Sequence, residues 1–172
     1  MVIFAALKNH ILHTVNDHVK GLYGGQIRVR ACGICVAEGK ILLINHSLYG
    51  QNGFFWSPPG GGILFGESAQ QAVVREFKEE TGLDVKVGPL LFFNEHIADP
   101  LHAIELFFEI KSFEGTLTKG IDPEFSSDDQ IIRSVCFMSW QEISQYRADQ
   151  LHILFSKTDS VEGILRLDNY IN

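Results

Sequence analysis

Between Ser57 and Gly62 the chain reads Ser-Pro-Pro-Gly-Gly-Gly, and a few residues later Ser68 and Gln71 have the spacing of a capping box. Two prolines lack amide donors and three glycines tolerate unusual backbone angles, so residues 57–62 are expected to form a specialised loop outside regular structure. Ala69 to Thr81 favours helix, and Gly82 supplies a left-handed stop. A glycine loop feeding a doubly punctuated helix is the local event around which the rest of the fold must be arranged.

On that helix Glu76, Glu79 and Glu80 fall within an arc of about 100° if each residue advances roughly 100°. Val73, Val74 and Phe77 occupy the neighbouring arc, which can bury an apolar stripe while the acids face a cleft. Clustered carboxylates repel one another unless cations compensate them, and carboxylate oxygens suit magnesium or calcium. A solvated acidic face partnered by Arg75 and Lys78 is the competing explanation for the helix taken alone.

The spacing separates the two. Gly61 is followed after five residues by Glu67, then after seven by Arg75-Glu76-Phe77-Lys78-Glu79-Glu80-Thr81-Gly82-Leu83. The run from Gly61 to Leu83 resembles the complete Nudix box, Gly-x5-Glu-x7-Arg-Glu-U-x-Glu-Glu-x-Gly-U, with U apolar. A chance match of its seven fixed identities is on the order of 10⁻⁸ per starting point. The order of strand, loop, helix and strand is similar to that family's over about residues 25–148.

The resemblance implies an α/β fold, a Nudix-like α/β/α sandwich with a mixed β-sheet. It also implies hydrolysis of a nucleoside diphosphate linked to another moiety, with Mg2+ or Mn2+ as cofactor. The acids at Glu76, Glu79 and Glu80 would hold the metal, joined by the carbonyl of Gly60. Arg75 would orient neighbouring carboxylates, and Glu67 would support the junction of loop and helix or a further metal. Many members carry another acid as general base, but the aligned positions here are Arg133 and Ser134, which leaves Asp128, Asp129 or Glu79 for that role. Pro100, seventeen residues beyond Leu83, lies near a position where ADP-ribose hydrolases carry proline. ADP-ribose or nucleotide-sugar substrates are therefore favoured, with modified nucleoside triphosphates, or a sensor that binds without turnover, as alternatives.

Elsewhere, Ile27 to Val36 and Ile41 to Ile44 read as strands joined at Glu38-Gly39, and Val85 to Val87, Leu90 to Phe93, Ile104 to Ile110 and Ile131 to Met138 as further strands. Helical patterns fall at residues 3–20, at Trp140 to Tyr146 and in the final twenty residues. We expect residues 1–24 to be a helical extension and 25–172 the main domain, ending in a C-terminal helix. Arg28 and Arg30 alternate with Ile27 and Val29, so both share one strand face and can meet a substrate phosphate. Phe54, Phe55 and Trp56 could stack a nucleobase, with core packing expected for at least two; Phe55 is taken as the substrate-facing one.

Cys32 and Cys35 have zinc-knuckle spacing but point to opposite faces of a strand, which favours buried thiols. His10, His13 and His18 do not share one helix face. With 14 basic and 21 acidic residues the net charge is −7, which gives no general attraction for nucleic acid or an anionic membrane. No apolar run reaches bilayer length and no secretion signal is read, so a cytoplasmic protein is expected. A small nucleotide is the expected partner, and a homodimer is left open.

Overall fold

The computed structural model describes residues 20–21, 24–47, 54–99, 101–121 and 130–171. Nearly all of the expected N-terminal helix lies outside these residues, as do Pro100, Asp128, Asp129 and the three N-terminal histidines.

The first hairpin strand is divided into β1 (Ile27–Ile34) and β2 (Val36–Ala37), and the chain turns at Glu38-Gly39 into β3 (Lys40–His46). Both turn residues have positive φ, which fits a tight hairpin turn between β2 and β3. Next come β4 (Phe55–Ser57), β5 (Gly60–Gly62), helix α1 (Ala69–Thr81), β6 (Asp84–Ala98), β7 (Leu101–Glu114) and β8 (Ile132–Ser139). One sheet has the order β5-β1-β7-β6, and the other joins β2, β3 and β4 with β8 on β3.

Three expectations need correction. The glycine segment is not outside regular structure, because Gly60–Gly62 forms strand β5 antiparallel to β1, pairing Arg30 with Gly62, Ala31 with Gly61 and Cys32 with Gly60. Pro58 and Pro59 sit just before it, where no ladder donor is needed. The two short strands expected at residues 85–93 are one long strand, β6, whose register against β7 shifts around Gly88-Pro89. The C-terminal helix is replaced by single turns. The separate pattern at Trp140 to Tyr146 does form a helix, α2 (Trp140–Ile143), whereas the final twenty residues hold a 3-10 turn at Ile153–Ser156 and α3 (Val161–Ile164), followed by strand β9 (Asn169–Ile171), which runs parallel to β6.

Helix α1 covers one side of the sheets, burying Ala72, Val73 and Phe77 against Ala31, Leu42 and Phe108. The opposite core joins Cys32, Phe92 and Phe107 to Trp56, Leu154 and Ile164 of the β4 and C-terminal segments. Parallel pairs β1–β7 and β6–β9 among antiparallel ones make the five-stranded sheet mixed, and the architecture is α/β with helical layers on both sides. Cys32 and Cys35 belong to different cores and are buried free thiols. Burial pushes the Cys35 thiol up to about 12 and Cys32 further, so neither is poised as a thiolate ligand. Among the described residues, no helix is long and apolar enough to cross a membrane.

Candidate active site

Helix α1 begins where Ser68 Oγ accepts from the Gln71 amide (3.3 Å) and Gln71 Oε1 accepts from the Ser68 amide (2.9 Å). It ends at Gly82, whose φ of 74° permits the amide to reach the Lys78 carbonyl. Both ends are thus set by local chemistry, and packing sets the rotation. The buried arc differs from the expected one, since Val74 is exposed whereas Glu76 and Glu80 lie with Ala72, Val73 and Phe77 in the buried set. Two of the acids are therefore inside the helix–sheet contact, and Glu79 stands at its edge.

That contact is possible because β5 is all glycine. A Cβ built on Gly61 would run into the Glu76 carboxylate, and one on Gly60 would strike the Ala31 carbonyl and Cys32. With no side chains in the way, the Gly60 amide donates to Glu80 Oε2 at 2.9 Å, and the Gly60 carbonyl accepts from Arg30 Nη2 at 2.9 Å.

Arg75 is the hub of the other carboxylates. Its Nε and Nη2 donate to the two oxygens of Glu67 (2.9 and 3.0 Å), and Nη1 donates to Glu76 Oε1 (2.7 Å) and Glu79 Oε2 (3.2 Å). Nη2 also donates to the Gly62 carbonyl (2.9 Å), which ties the helix to β5. The fork shape of guanidinium makes this multiple grip available to arginine and not to lysine. Hydrogen bonding from Arg75 holds the Glu67 carboxyl below its ordinary range, whereas burial pushes that of Glu76 up against the pull of Arg75. Glu67, Glu76 and Glu79 thus share one cation.

Glu76 and Glu79 turn toward Arg75 and Glu80 toward the Gly60 amide, so among the described residues no three His, Cys, Asp or Glu side chains converge as a ready-made metal cage. The donor set nevertheless fits a hard divalent cation. It is oxygen only, it holds more carboxylate charge than Arg75 neutralises, and its Glu76 member is buried where an uncompensated anion is unfavourable.

The three acids line a cavity of about 870 Å3. Arg28, Arg30 and Phe55 line the same cavity, so all three proposed substrate contacts reach it. Trp56 is buried in the core and Phe54 packs against it, as expected for two of the three aromatics. Arg133 and Ser134 lie on β8.

One cluster was not anticipated. The register of β1, β7 and β6 places Arg30, Glu105 and Asn94 side by side on the cavity face. Glu105 Oε2 accepts from Asn94 Nδ2 (3.0 Å) and contacts His152 Nε2 (2.9 Å), all three residues being buried. His152 Nδ1 accepts from the Leu154 amide (3.2 Å), which leaves the ring proton on Nε2 as the donor to Glu105. Burial opposes ionisation of Glu105, but the hydrogen bonds from His152 and Asn94 and the charge of Arg30 hold the carboxyl below its usual range. The available signal was an acid inside the apolar run Leu101 to Ile110, opposite an asparagine inside another.

Comparison with known proteins agrees with this geometry. The NUDIX domain family model matches residues 26–157. An ADP-ribose pyrophosphatase of Methanocaldococcus jannaschii is 41% identical over 92 residues, covering 52% of this chain and 54% of that protein. An 8-oxo-dGTP diphosphatase of Proteus vulgaris is 30% identical over 94 residues, covering 55% of this chain and 84% of that one. The chain thus spans about half the length of the first relative and most of the second. The crystal structure of a MutT NUDIX hydrolase from Burkholderia pseudomallei superposes with a TM-score of 0.58 at 27% identity, covering 68% of this chain and 86% of that one. The family match contains the whole of Gly61–Leu83, β5 and α1, together with the strands that form the cavity, and the chain belongs to the Nudix family.

Proposed function

We propose that this protein is a divalent-metal-dependent pyrophosphohydrolase acting on a nucleoside diphosphate linked to another moiety. The observation that carries the reading is that Glu76, Glu79 and Glu80 line the same cavity as Arg28, Arg30 and Phe55. Glu76, Glu79, Glu80 and the Gly60 carbonyl would hold Mg2+ or Mn2+. When bound, such an ion supplies charge neutralisation on the phosphate oxygens and a lowered pKa for the attacking water.

The chain's own part is positioning. Arg75 keeps Glu76 and Glu79 in fixed rotamers, and the Gly60 amide does the same for Glu80. Glu79, the most solvent-accessible of these three carboxylates on its side chain's half-open edge, takes the proton of the attacking water. Arg28 and Arg30 receive phosphate oxygens, and Phe55 offers a stacking surface.

Addition of EDTA is expected to abolish turnover and Mg2+ or Mn2+ to restore it, checked by product mass during a screen of nucleoside diphosphate derivatives. Full activity in verified metal-free protein would remove the proposed mechanism. Reaction in ¹⁸O-water identifies the attacked phosphorus.

ADP-ribose or a nucleotide sugar is expected to show a higher kcat/KM than any canonical nucleoside triphosphate. A linear diphosphate needs holding at both ends, which an arginine and an aromatic on one cavity can provide, whereas a triphosphate concentrates more charge against the acids. The relative named as an ADP-ribose pyrophosphatase supports this order. The relative named as an 8-oxo-dGTP diphosphatase supports the second reading, modified triphosphates, and a preference of about tenfold for a triphosphate at equal Mg2+ would establish it instead.

A further inference from the structure

We propose that Glu105 is the nucleoside-specificity residue of this cavity, accepting a hydrogen bond through Oε1 from a neutral N–H or O–H donor of the substrate's nucleoside. The proposal rests on the hydrolase reading for the identity of the ligand as a nucleotide.

The argument starts from the two oxygens of one carboxylate. Oε2 is fully committed, because Asn94 Nδ2 and His152 Nε2 both bond to it. Oε1 has no hydrogen bond among the described residues, and its nearest cation is Arg30 Nε at 3.8 Å. Glu105 is only 9% exposed, yet it lines the cavity. Oε1 keeps access to the cavity, so a ligand group that displaces its water without donating leaves an ionised oxygen unpaired, which is costly, whereas an N–H or O–H donor replaces that water.

The surroundings hold the carboxylate to this task. Asn94 and His152 are themselves buried, and the Leu154 amide fixes the ring tautomer. Arg30 Nε stands 3.8 Å from Oε1 while Nη2 donates to the Gly60 carbonyl. Phe55 meets the His152 ring edge-on with centroids 6.3 Å apart, and Phe107 lies 5.3 Å from it, so the acceptor is set among aromatic walls suited to a planar or sugar ligand.

Glu105→Gln tests the assignment with little change in shape. To keep both donors, the amide oxygen must take the place of Oε2, which puts NH2 where Oε1 was. The acceptor facing the ligand becomes a donor.

Nucleoside monophosphates contain no pyrophosphate bond, so binding can be measured without turnover. Isothermal titration in Mg2+ of AMP, GMP, IMP and the 2′- and 3′-deoxy forms of AMP separates the two donor sources. If a base amino group is the donor, wild-type protein binds AMP or GMP roughly tenfold or more tightly than IMP; if a sugar hydroxyl is the donor, a deoxy form loses a similar factor. In either case the discrimination collapses or inverts in Glu105→Gln. The proposal is overturned if none of these nucleotides binds, if wild-type protein separates none of them by that factor, or if Glu105→Gln keeps the wild-type ranking. The wild-type ranking needs no variant to fold. Failure of the hydrolase reading shows separately, as an absence of turnover on every diphosphate tested whatever the monophosphate ranking.

Discussion

Glu79→Gln and Glu80→Gln are each expected to lower kcat by about two orders of magnitude or more, with little change in stability. Amide and carboxylate have nearly the same shape, so α1 can pack as before. At position 80 the amide oxygen can still accept from the Gly60 amide, which preserves the link between α1 and β5. What is lost is the negative charge that, in the proposed mechanism, would hold a divalent cation beside a substrate of like sign. At position 79 the amide oxygen can still accept from Arg75, but the basicity that the proposed proton transfer from water requires is lost. Steady-state kinetics at saturating metal, with thermal melting as the control, measure both effects. Wild-type rates in both variants would place the active site elsewhere.

Arg75→Gln should have the largest effect on the metal-free protein. This guanidinium donates to Glu67, Glu76, Glu79 and the Gly62 carbonyl, and its removal leaves neighbouring carboxylates facing one another. Removing one partner of a fully buried ion pair costs about 3–5 kcal/mol. The Arg75 side chain is a quarter exposed, so solvent screening reduces this to about 1–3 kcal/mol. For a chain of this size each kcal/mol shifts Tm by roughly 2–4 °C. The loss is expected to be greater in EDTA than in Mg2+, because an added cation takes over part of the compensation. Melting curves in the two buffers check it, and an equal Tm for variant and wild type in EDTA would contradict the hub role of Arg75.

Much of this site could be read along the chain because its determinants are local. Ser68, Gln71 and Gly82 satisfy or terminate the hydrogen bonds of α1 within a few residues, so its bounds Ala69–Thr81 follow from sequence. The spacing from Gly61 to Leu83 likewise places the acids and Arg75 on one helix, since helical geometry is periodic.

Long-range pairing decided the rest. Gly60–Gly62 is a strand because β1 supplies an edge to bond with, and residues 169–171 are a strand because β6 does the same. No local propensity encodes either partner. Burial of Glu76 and Glu80 and exposure of Val74 depend on the glycine surface that α1 meets, which the hydrophobic pattern of the helix alone does not contain. The Glu105 cluster is the extreme case, drawing on β6, β7, β1 and His152 near the C-terminus. Helix ends and side-chain spacing are settled over a few residues of chain, whereas a buried charge needs partners that only strand register and tertiary packing can bring within hydrogen-bonding distance.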